Sequence, residues 1–307
     1  MFVLILNSSN VVADGNNNTL VYNFPNSIVL KDKYIAVSQI IMYYAWFNIT
    51  SGYKNNTFTY SWTIGGVKTT YTVVIPDGIY DIKDINAYLQ WTMINNGHYL
   101  INGSGDNVYY AELIVNPQRY AIQLNTFQVP TSLPTGFSAP GTWPGYPTQT
   151  FNPEVSFPAD FYKIVGYNPV GGVVFSSNNN VNNAYVAPAP TASNYYVSKD
   201  GVGTLSYLSN TYPDVQPNSS IYVSISNINN PYSQPSSIIY AVTPAVAIGE
   251  QIIETPPNFM WNKLIDGTYN QLRVQLLGID KAPINMRDPN MTIILTIRDK
   301  DESIGLK

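Results

Sequence analysis

The chain has 307 residues, enough for one large domain or two ordinary ones. Only 11% of its residues are charged, the net charge is −4, and no cysteine is present. Nucleic-acid interfaces need clustered Lys and Arg, and disulfide frameworks or thiolate metal sites need Cys, so this composition argues against all three. A weakly charged surface suits a protein that packs side by side, although biased codon usage produces the same composition.

The N-terminal hexapeptide MFVLIL lacks the basic segment of a signal peptide, and its apolar run ends before Asn7. We expect it to form a first strand and not a secretion signal.

A second apolar run, YIAVSQIIMYYAWFN, spans Tyr34 to Asn48. It is too short and too interrupted to cross a membrane as a helix, which takes about 20 apolar residues. Its β-branched and aromatic residues favour a strand, yet both sets of alternating residues are apolar. One face should fill the core, so something must cover the other.

The clearest local structure is a hairpin from Asn56 to Ile75, with Gly65-Gly66 as its two-residue turn. Pairing Ile64 with Val67 puts the apolar residues of both strands on one face. This register also pairs Trp62 with Thr69, Tyr60 with Tyr71 and Phe58 with Val73.

The same alternation of apolar residues recurs along the chain and predicts further strands. It appears at Leu20/Tyr22/Phe24, Tyr120/Ile122/Leu124, Ile221/Val223/Ile225, Leu272/Val274/Leu276 and Met291/Ile293/Leu295/Ile297.

One segment, Asp81 to Gly97, has the spacing of an amphipathic helix. Asp81 is its predicted N-cap, Asp84 adds a negative charge to the first turn, and Asn96-Gly97 marks its end. We expect this helix to lie over a sheet.

From Gln128 to Pro213 the sequence is rich in Pro and Asn, and we expect a mostly irregular excursion. Within it, FYKIVGYNP (161–169) and VGGVVF (170–175) are candidates for short strands. The whole pattern predicts an all-β fold, a single antiparallel jelly-roll domain over 1–307. Its strands come mainly from 1–127 and 214–307, and 128–213 is a loop-rich insertion.

Catalytic chemistry has little support in the residues. The only histidine, His98, follows a helix exit, where a lone histidine is usually surface-exposed or hydrogen-bonded. Asp77, Asp81 and Asp84 could flank a sugar, but a turn and a helix cap already account for them. We therefore expect no catalytic residue, no cofactor and no metal site.

Several segments together resemble the penton, or vertex, capsid protein of Maverick/Polinton elements and mavirus-like virophages. They are IIMYYAWFNI (40–49), NNTFTYSW (55–62), IPDGIYDIKDINAYLQ (75–90), NGHYLI (96–101), GDNVYYAELIVNP (105–117) and DPNMTIILTIR (288–298). The resemblance implies a non-enzymatic virion protein that forms homopentamers at fivefold vertices and contacts a double-jelly-roll major capsid protein. It also implies synthesis in the host cytoplasm or virus factory. No RGD motif of an integrin-binding loop occurs.

A vertex subunit has two flanking neighbours, which offers a cover for the second apolar face of Tyr34 to Asn48. We expect Ile35, Val37, Ile41 and Phe47 in the core. The complementary set is then the candidate subunit interface, facing a neighbour or a covering loop: Met42, Tyr44 and Trp46. A β-bulge near Ser38-Gln39 would exchange the two sets.

Two rival functions stay open. A carbohydrate-binding β-sandwich, such as a fibre or lectin-like module, would stack sugars on the exposed loop residues Trp143 and Tyr146. A glycoside hydrolase on the same fold could use carboxylates from Asp77, Asp81 and Asp84, and replacing Asp84 with Asn would inactivate an enzyme that used it.

Overall fold

The computed structural model describes residues 1–167, 204–215 and 219–300. The first part of the chain forms β1 (Phe2–Leu6), a 3-10 turn (Ser8–Asn10), β2 (Thr19–Leu30), β3 (Lys33–Tyr43), β4 (Thr57–Ile64), β5 (Val67–Val74), α1 (Ile82–Asn95), β6 (Tyr99–Ile101), β7 (Asn107–Tyr109), β8 (Ala111–Asn116) and β9 (Ala121–Phe127). The remainder forms β10 (Val155–Ser156), α2 (Ala159–Val165), β11 (Thr204–Leu208), β12 (Ile221–Ile225), β13 (Ile238–Val242), β14 (Gln251–Glu254), β15 (Asn262–Lys263), β16 (Gly267–Leu277) and β17 (Thr292–Asp299).

The chain divides into two compact units. The first unit combines Met1–Phe47 with Pro217–Lys307, and the second is Asn48–Gln216. The second unit is therefore inserted in the sequence between β3 and β12.

The first unit is an antiparallel jelly roll. One sheet has the order β1-β17-β3-β14, with β15 also paired to β3, and the other has the order β13-β12-β16-β2. Along the chain, each strand of these two orders lies in the opposite sheet from the strand before it. The exception is β13, which follows β12 in the same sheet. Eight strands wound in this way form the double-sheet jelly roll, so the predicted fold class is confirmed.

The two sheets of the first unit enclose a single aliphatic core. Each strand alternates, so Leu4 and Leu6 of β1 point inward together with the residues that pair with them on β17, Leu295 and Ile293. Burial of such side chains stabilises the unit by roughly 1.5–3 kcal/mol for each.

The second unit contains two three-stranded sheets, β10-β4-β5 and β11-β9-β8, and the small pair β6-β7. Helix α1 packs against β8 and β5. Its buried residues, among them Ile85, Leu89 and Met93, join a core rich in aromatic side chains.

Local predictions in the second unit are confirmed in detail. The hairpin β4–β5 has the predicted register, with Ile64 opposite Val67 and Tyr60 opposite Tyr71. Asp81 caps α1, because its side chain accepts the backbone N–H of Asp84 at 2.9 Å and the Asp84 carboxylate accepts that of Asp81 at 3.0 Å.

The range 128–213 has more order than the sequence indicated. The first part of the segment predicted as a strand at 161–169 belongs instead to helix α2. This helix follows Pro158 and is capped at its C-terminus by Gly166, which has a φ of 74°. Proline fixes the backbone before the first turn and glycine permits the left-handed exit, and both favour a helix over a strand. The candidate strand 170–175 lies outside the described residues.

Residues on both sides of Gln128 share one core in the second unit, with Leu124 and Phe127 alongside Val129 and Phe157. The jelly-roll strands of the first unit accordingly come from residues 2–43 and 221–299. A single domain over 1–307, with its insertion bounded at 128–213, stays a prediction.

Gly97 provides a test of how α1 ends. Its φ is +73°, and a Cβ there would lie 2.1 Å from the carbonyl oxygen of Thr142. Gly97→Ala should therefore lower the free energy of unfolding by at least about 2 kcal/mol, since both the backbone and Thr142 resist the change. Gly65→Ala is the control, because Gly65 also has a positive φ but faces open space, and it should cost about 1 kcal/mol. Urea unfolding measures both, and equal losses would contradict the crowding at Gly97.

Candidate functional site

Aliphatic side chains form an interrupted, diagonal row on the outer face of the β1-β17-β3-β14 sheet, in which Gln39 lies opposite Ile294 and Thr292 lies opposite Ile41. Ile5 pairs with Ile294, Ile41 pairs with Ile253, and these pairs point away from the core. We name the five residues Val3, Ile5, Ile41, Ile253 and Ile294 the aliphatic face. Ile5 is 55% exposed and Ile253 61% exposed. A row of this kind across one sheet indicates an interaction surface more strongly than scattered apolar residues do.

The outer face of the opposite sheet is polar by comparison. Along β16, Arg273 and Gln275 point outward, opposite Val21 and Thr19 of β2. The jelly roll therefore presents two chemically different flanks, one aliphatic and one polar.

The aliphatic face borders a cation–aromatic contact. The guanidinium of Arg298 on β17 lies over the ring of Trp261, with its carbon 4.2 Å from the ring centroid. Such a contact holds a cation against an apolar surface and favours a fixed position for both side chains.

A β-bulge divides the four residues predicted for the core, with Ile35 and Val37 before it and Ile41 and Phe47 after it. Leu295 pairs with Val37 and Ile294 pairs with Gln39, so Ser38 has no partner in the ladder. The Ser38 hydroxyl donates to the carbonyl of Ile294 at 3.1 Å. Because the extra residue reverses the alternation, the inward set changes from odd to even numbers along β3.

This reversal corrects the predicted faces. Ile35 and Val37 are in the core as expected, but Ile41 lies on the outer face and Phe47 is only half-buried. Met42 and Trp46, expected to face a neighbour or a covering loop, are each 1% exposed and belong to the core of the first unit. Their surfaces are already covered within that unit, so they leave nothing for a neighbour to contact.

Tyr44 differs from these two residues. It is half-buried and stacks on Trp46, with ring centroids 4.2 Å apart. Its place in a subunit interface stays a prediction.

The proposed sugar platform is not an exposed loop surface. Trp143 is half-buried and stands edge-on to Trp62 at a centroid distance of 5.9 Å. Tyr146 is also half-buried and lies 5.4 Å from Trp143. Trp143 packs against the core of the second unit, and Tyr146 packs against Trp143, so neither ring stands free on an exposed loop.

His98 is enclosed by aromatic rings. Trp62 stacks on it at a centroid distance of 4.3 Å, the edge of Tyr71 lies 4.6 Å away, and its Nδ1 is 2.8 Å from the hydroxyl of Tyr60. Burial lowers the pKa of His98 to about 4 and raises that of Tyr60 above its usual range. The imidazole is therefore neutral at pH 7, and no carboxylate is hydrogen-bonded to it among the described residues.

The three aspartates considered for catalysis have structural partners. Asp77 accepts the backbone N–H of Ser51 at 2.6 Å and its hydroxyl at 3.1 Å, while Asp81 and Asp84 form the helix cap. Within the described ranges, no three His, Asp or Glu residues gather in a way that could hold a metal ion. In the same ranges, no helix has the length and apolar character needed to span a membrane.

Sequence reasoning missed the aliphatic face. MFVLIL was identified as a strand, but its outward residues were not assigned to a surface. The signal was present, because Val3 and Ile5 alternate with Leu4 and Leu6, which makes both faces of the strand apolar. Only the strand order places Ile253, from a distant segment, in the same row.

The fold and its two flanks define an antiparallel jelly-roll protein with an aliphatic outer sheet face. No protein-family model matches the chain, and no curated protein matches it. Among solved structures, the chain is similar to the selenomethionine-labelled mavirus penton protein, with 10% identity, a TM-score of 0.39, and coverage of 97% of this chain and 98% of that one. It is also similar to a chain of the Sputnik virophage structure, with 11% identity, a TM-score of 0.37 and the same coverage. The mavirus penton protein is of the same kind as the penton proteins that the sequence segments resemble. Because both TM-scores lie below 0.5, we argue function from the residues of this chain.

The placement of Trp46 can be tested by folding stability. Trp46→Ala should lower the free energy of unfolding by about 3–5 kcal/mol, since it empties a large part of a closed core. Trp91→Ala, at a residue 56% exposed on α1, is the control and should cost less than about 1 kcal/mol. Urea unfolding followed by circular dichroism gives both values. Similar losses for the two variants would place Trp46 at the surface.

His98 gives a prediction on pH. Its pKa is lower in the folded chain than in the unfolded one, so the neutral ring stabilises the fold fully above pH 6.5. That contribution is lost as the pH falls from 6.5 towards 4, because only the unfolded chain takes up the proton in this interval. We expect the difference in unfolding free energy between the wild type and His98→Gln to shrink by roughly 2–3 kcal/mol over this range. A constant difference between pH 7.5 and 4.5 would show that His98 is accessible to protons in the folded state.

Proposed function

We propose that this protein is a structural, non-enzymatic subunit of a viral capsid, located in the virion. We further propose that it forms homopentamers at the fivefold vertices and contacts a double-jelly-roll major capsid protein. The observation that carries the proposal is the aliphatic face on the outside of a jelly-roll sheet. The sequence resemblance to penton proteins is consistent with it.

The physical reason is the difference between the two flanks of the jelly roll. A closed ring of identical subunits needs a heterologous contact, in which one flank of each copy meets a different flank of the next. The first unit has such a pair of flanks. Burying the exposed parts of Ile5 and Ile253 would contribute roughly 1–2 kcal/mol each before the cost of association.

The low charge of the chain also favours association between copies. With 11% charged residues and a net charge of −4, neighbouring copies repel each other weakly.

A charge placed on the aliphatic face should dissociate the assembly. The double variant Ile5→Lys/Ile253→Lys should stay monomeric under conditions in which the wild type forms a ring of five, because two ammonium groups would have to be buried in the contact. Light scattering gives the mass, and negative-stain images of the peak give the number of subunits.

The matched control is Val67→Lys. Val67 is 67% exposed on β5 of the second unit, so it belongs to neither flank of the jelly roll. This variant should assemble like the wild type. A wild-type chain that stays monomeric at all concentrations would contradict self-assembly, and unaltered rings of the double variant would exclude the aliphatic face.

A further inference from the structure

The second unit has an apolar cleft of about 580 Å³. It lies between the end of β5 and the outward side of α1, and its walls are Val74, Pro76, Ala87, Tyr88 and Trp91. Trp91 is 56% exposed although it is the largest side chain of the helix. Clefts of a few hundred Å³ with aromatic walls are typical binding sites for apolar groups.

One rim of the cleft is acidic. Asp77 directly follows the wall residue Pro76, and Asp81 and Asp84 lie in the first turn of α1. Their carboxylates outnumber the one lysine of the same helix, Lys83, and none of the three forms an ion pair among the described residues. The pKa of Tyr80 is raised to about 12. Burial is the largest cause, the neighbouring Tyr88 is the next, and the charges of Asp77 and Asp84 add to it. A ligand that carries both an aromatic ring and a positive charge would therefore complement the apolar cleft and its acidic rim.

The chain itself carries a segment of this chemistry. The turn between β8 and β9 contains Arg119 and Tyr120, which we call the 119–120 turn. Tyr120 is 74% exposed and has a left-handed φ of 48°. Within the described part of the chain, Arg119 has no ion-pair partner and the Tyr120 ring has no aromatic neighbour.

Hydrogen bonds within the β8–β9 hairpin hold the 119–120 turn in place. The backbone N–H of Arg119 donates to the side chain of Asn116 at 3.3 Å, and Asn116, which is fully buried, donates to Gln123 at 3.0 Å. A bulky residue in the left-handed region is strained, and such strain persists only where the surroundings impose it. An exposed ring in an imposed conformation is preorganised for contact.

We propose that the Arg119–Tyr120 turn of one copy inserts into the Trp91 cleft of the next copy. Tyr120 stacks against Trp91 and Tyr88, and Arg119 faces the carboxylates of Asp77 and Asp84. The contact is heterologous, because the turn and the cleft are different surfaces of the same unit. It rests on the proposed self-assembly and names a second contact, separate from the aliphatic face.

The first test uses the dissociation constant of the assembly from concentration-dependent light scattering. Trp91→Ala, Tyr120→Ser and Arg119→Glu should each raise it at least tenfold, whereas Arg119→Lys should change it less than threefold, because the charge is retained. Tyr212→Ser, at another exposed tyrosine of the second unit, is the control and should have no effect. Added salt should weaken wild-type assembly and should have a smaller effect on Arg119→Glu.

Tyr120→Gly separates assembly from folding. Glycine adopts a positive φ without strain, so the urea midpoint of this variant should stay the same or rise. Assembly should weaken as it does for Tyr120→Ser. A variant that lost both stability and assembly would show that Tyr120 has a structural role, which would overturn the proposal.

A crosslink tests proximity directly, because the chain has no cysteine of its own. The double variant Ala87→Cys/Gln118→Cys places one thiol in the cleft and one beside Arg119. A short bismaleimide should join assembled copies into a ladder, while each single variant should give no ladder. Rings that form without the ladder would overturn this contact and leave the proposed function intact. A chain that never assembles would contradict both.

Discussion

The bulge at Ser38 is the constraint on which the jelly roll depends. β3 lies between β17 and β14 in its sheet, so its alternation decides which residues fill the core of the first unit. One extra residue, fixed by the bond from Ser38 to the carbonyl of Ile294, turns Met42 inward and Ile41 outward. A shift of a single position inverts every side chain that follows it, because the period of a strand is two. The outward position of Ile41, one of the five residues of the aliphatic face, is a consequence of this shift.

Two kinds of core coexist in the chain. The first unit is filled mainly by aliphatic residues between two sheets, whereas the second is built around aromatic rings, including the cage of Tyr60, Trp62 and Tyr71 about His98. Rings with hydroxyl or imidazole groups need hydrogen-bond partners when buried. Tyr60 and His98 supply this partner to each other, whereas the indole N–H groups of Trp62 and Trp143 are buried without a hydrogen-bond acceptor among the described residues.

A buried polar network gives the second unit a further source of specificity. Asn116, Gln123, Asn125 and Glu112 form a chain of side-chain hydrogen bonds of 2.8–3.0 Å on β8 and β9. Each donor must find its acceptor, so one strand register is favoured over its neighbours. The same network fixes the base of the turn at Tyr120, and it therefore connects the folding of this sheet to the shape of an exposed surface.

Local sequence determined the elements whose geometry depends on neighbouring residues. Gly65-Gly66 fixed the hairpin register, and Asp81 with Asp84 fixed the start of α1, because turns and caps are satisfied within a few residues. The sequence also indicated the jelly-roll class and a bulge near Ser38. Tertiary structure alone decided that Trp46 is in the core and that Ile253 stands beside Ile41. These outcomes depend on pairing between segments more than 200 residues apart in the chain, and no local pattern specifies which strands will become neighbours.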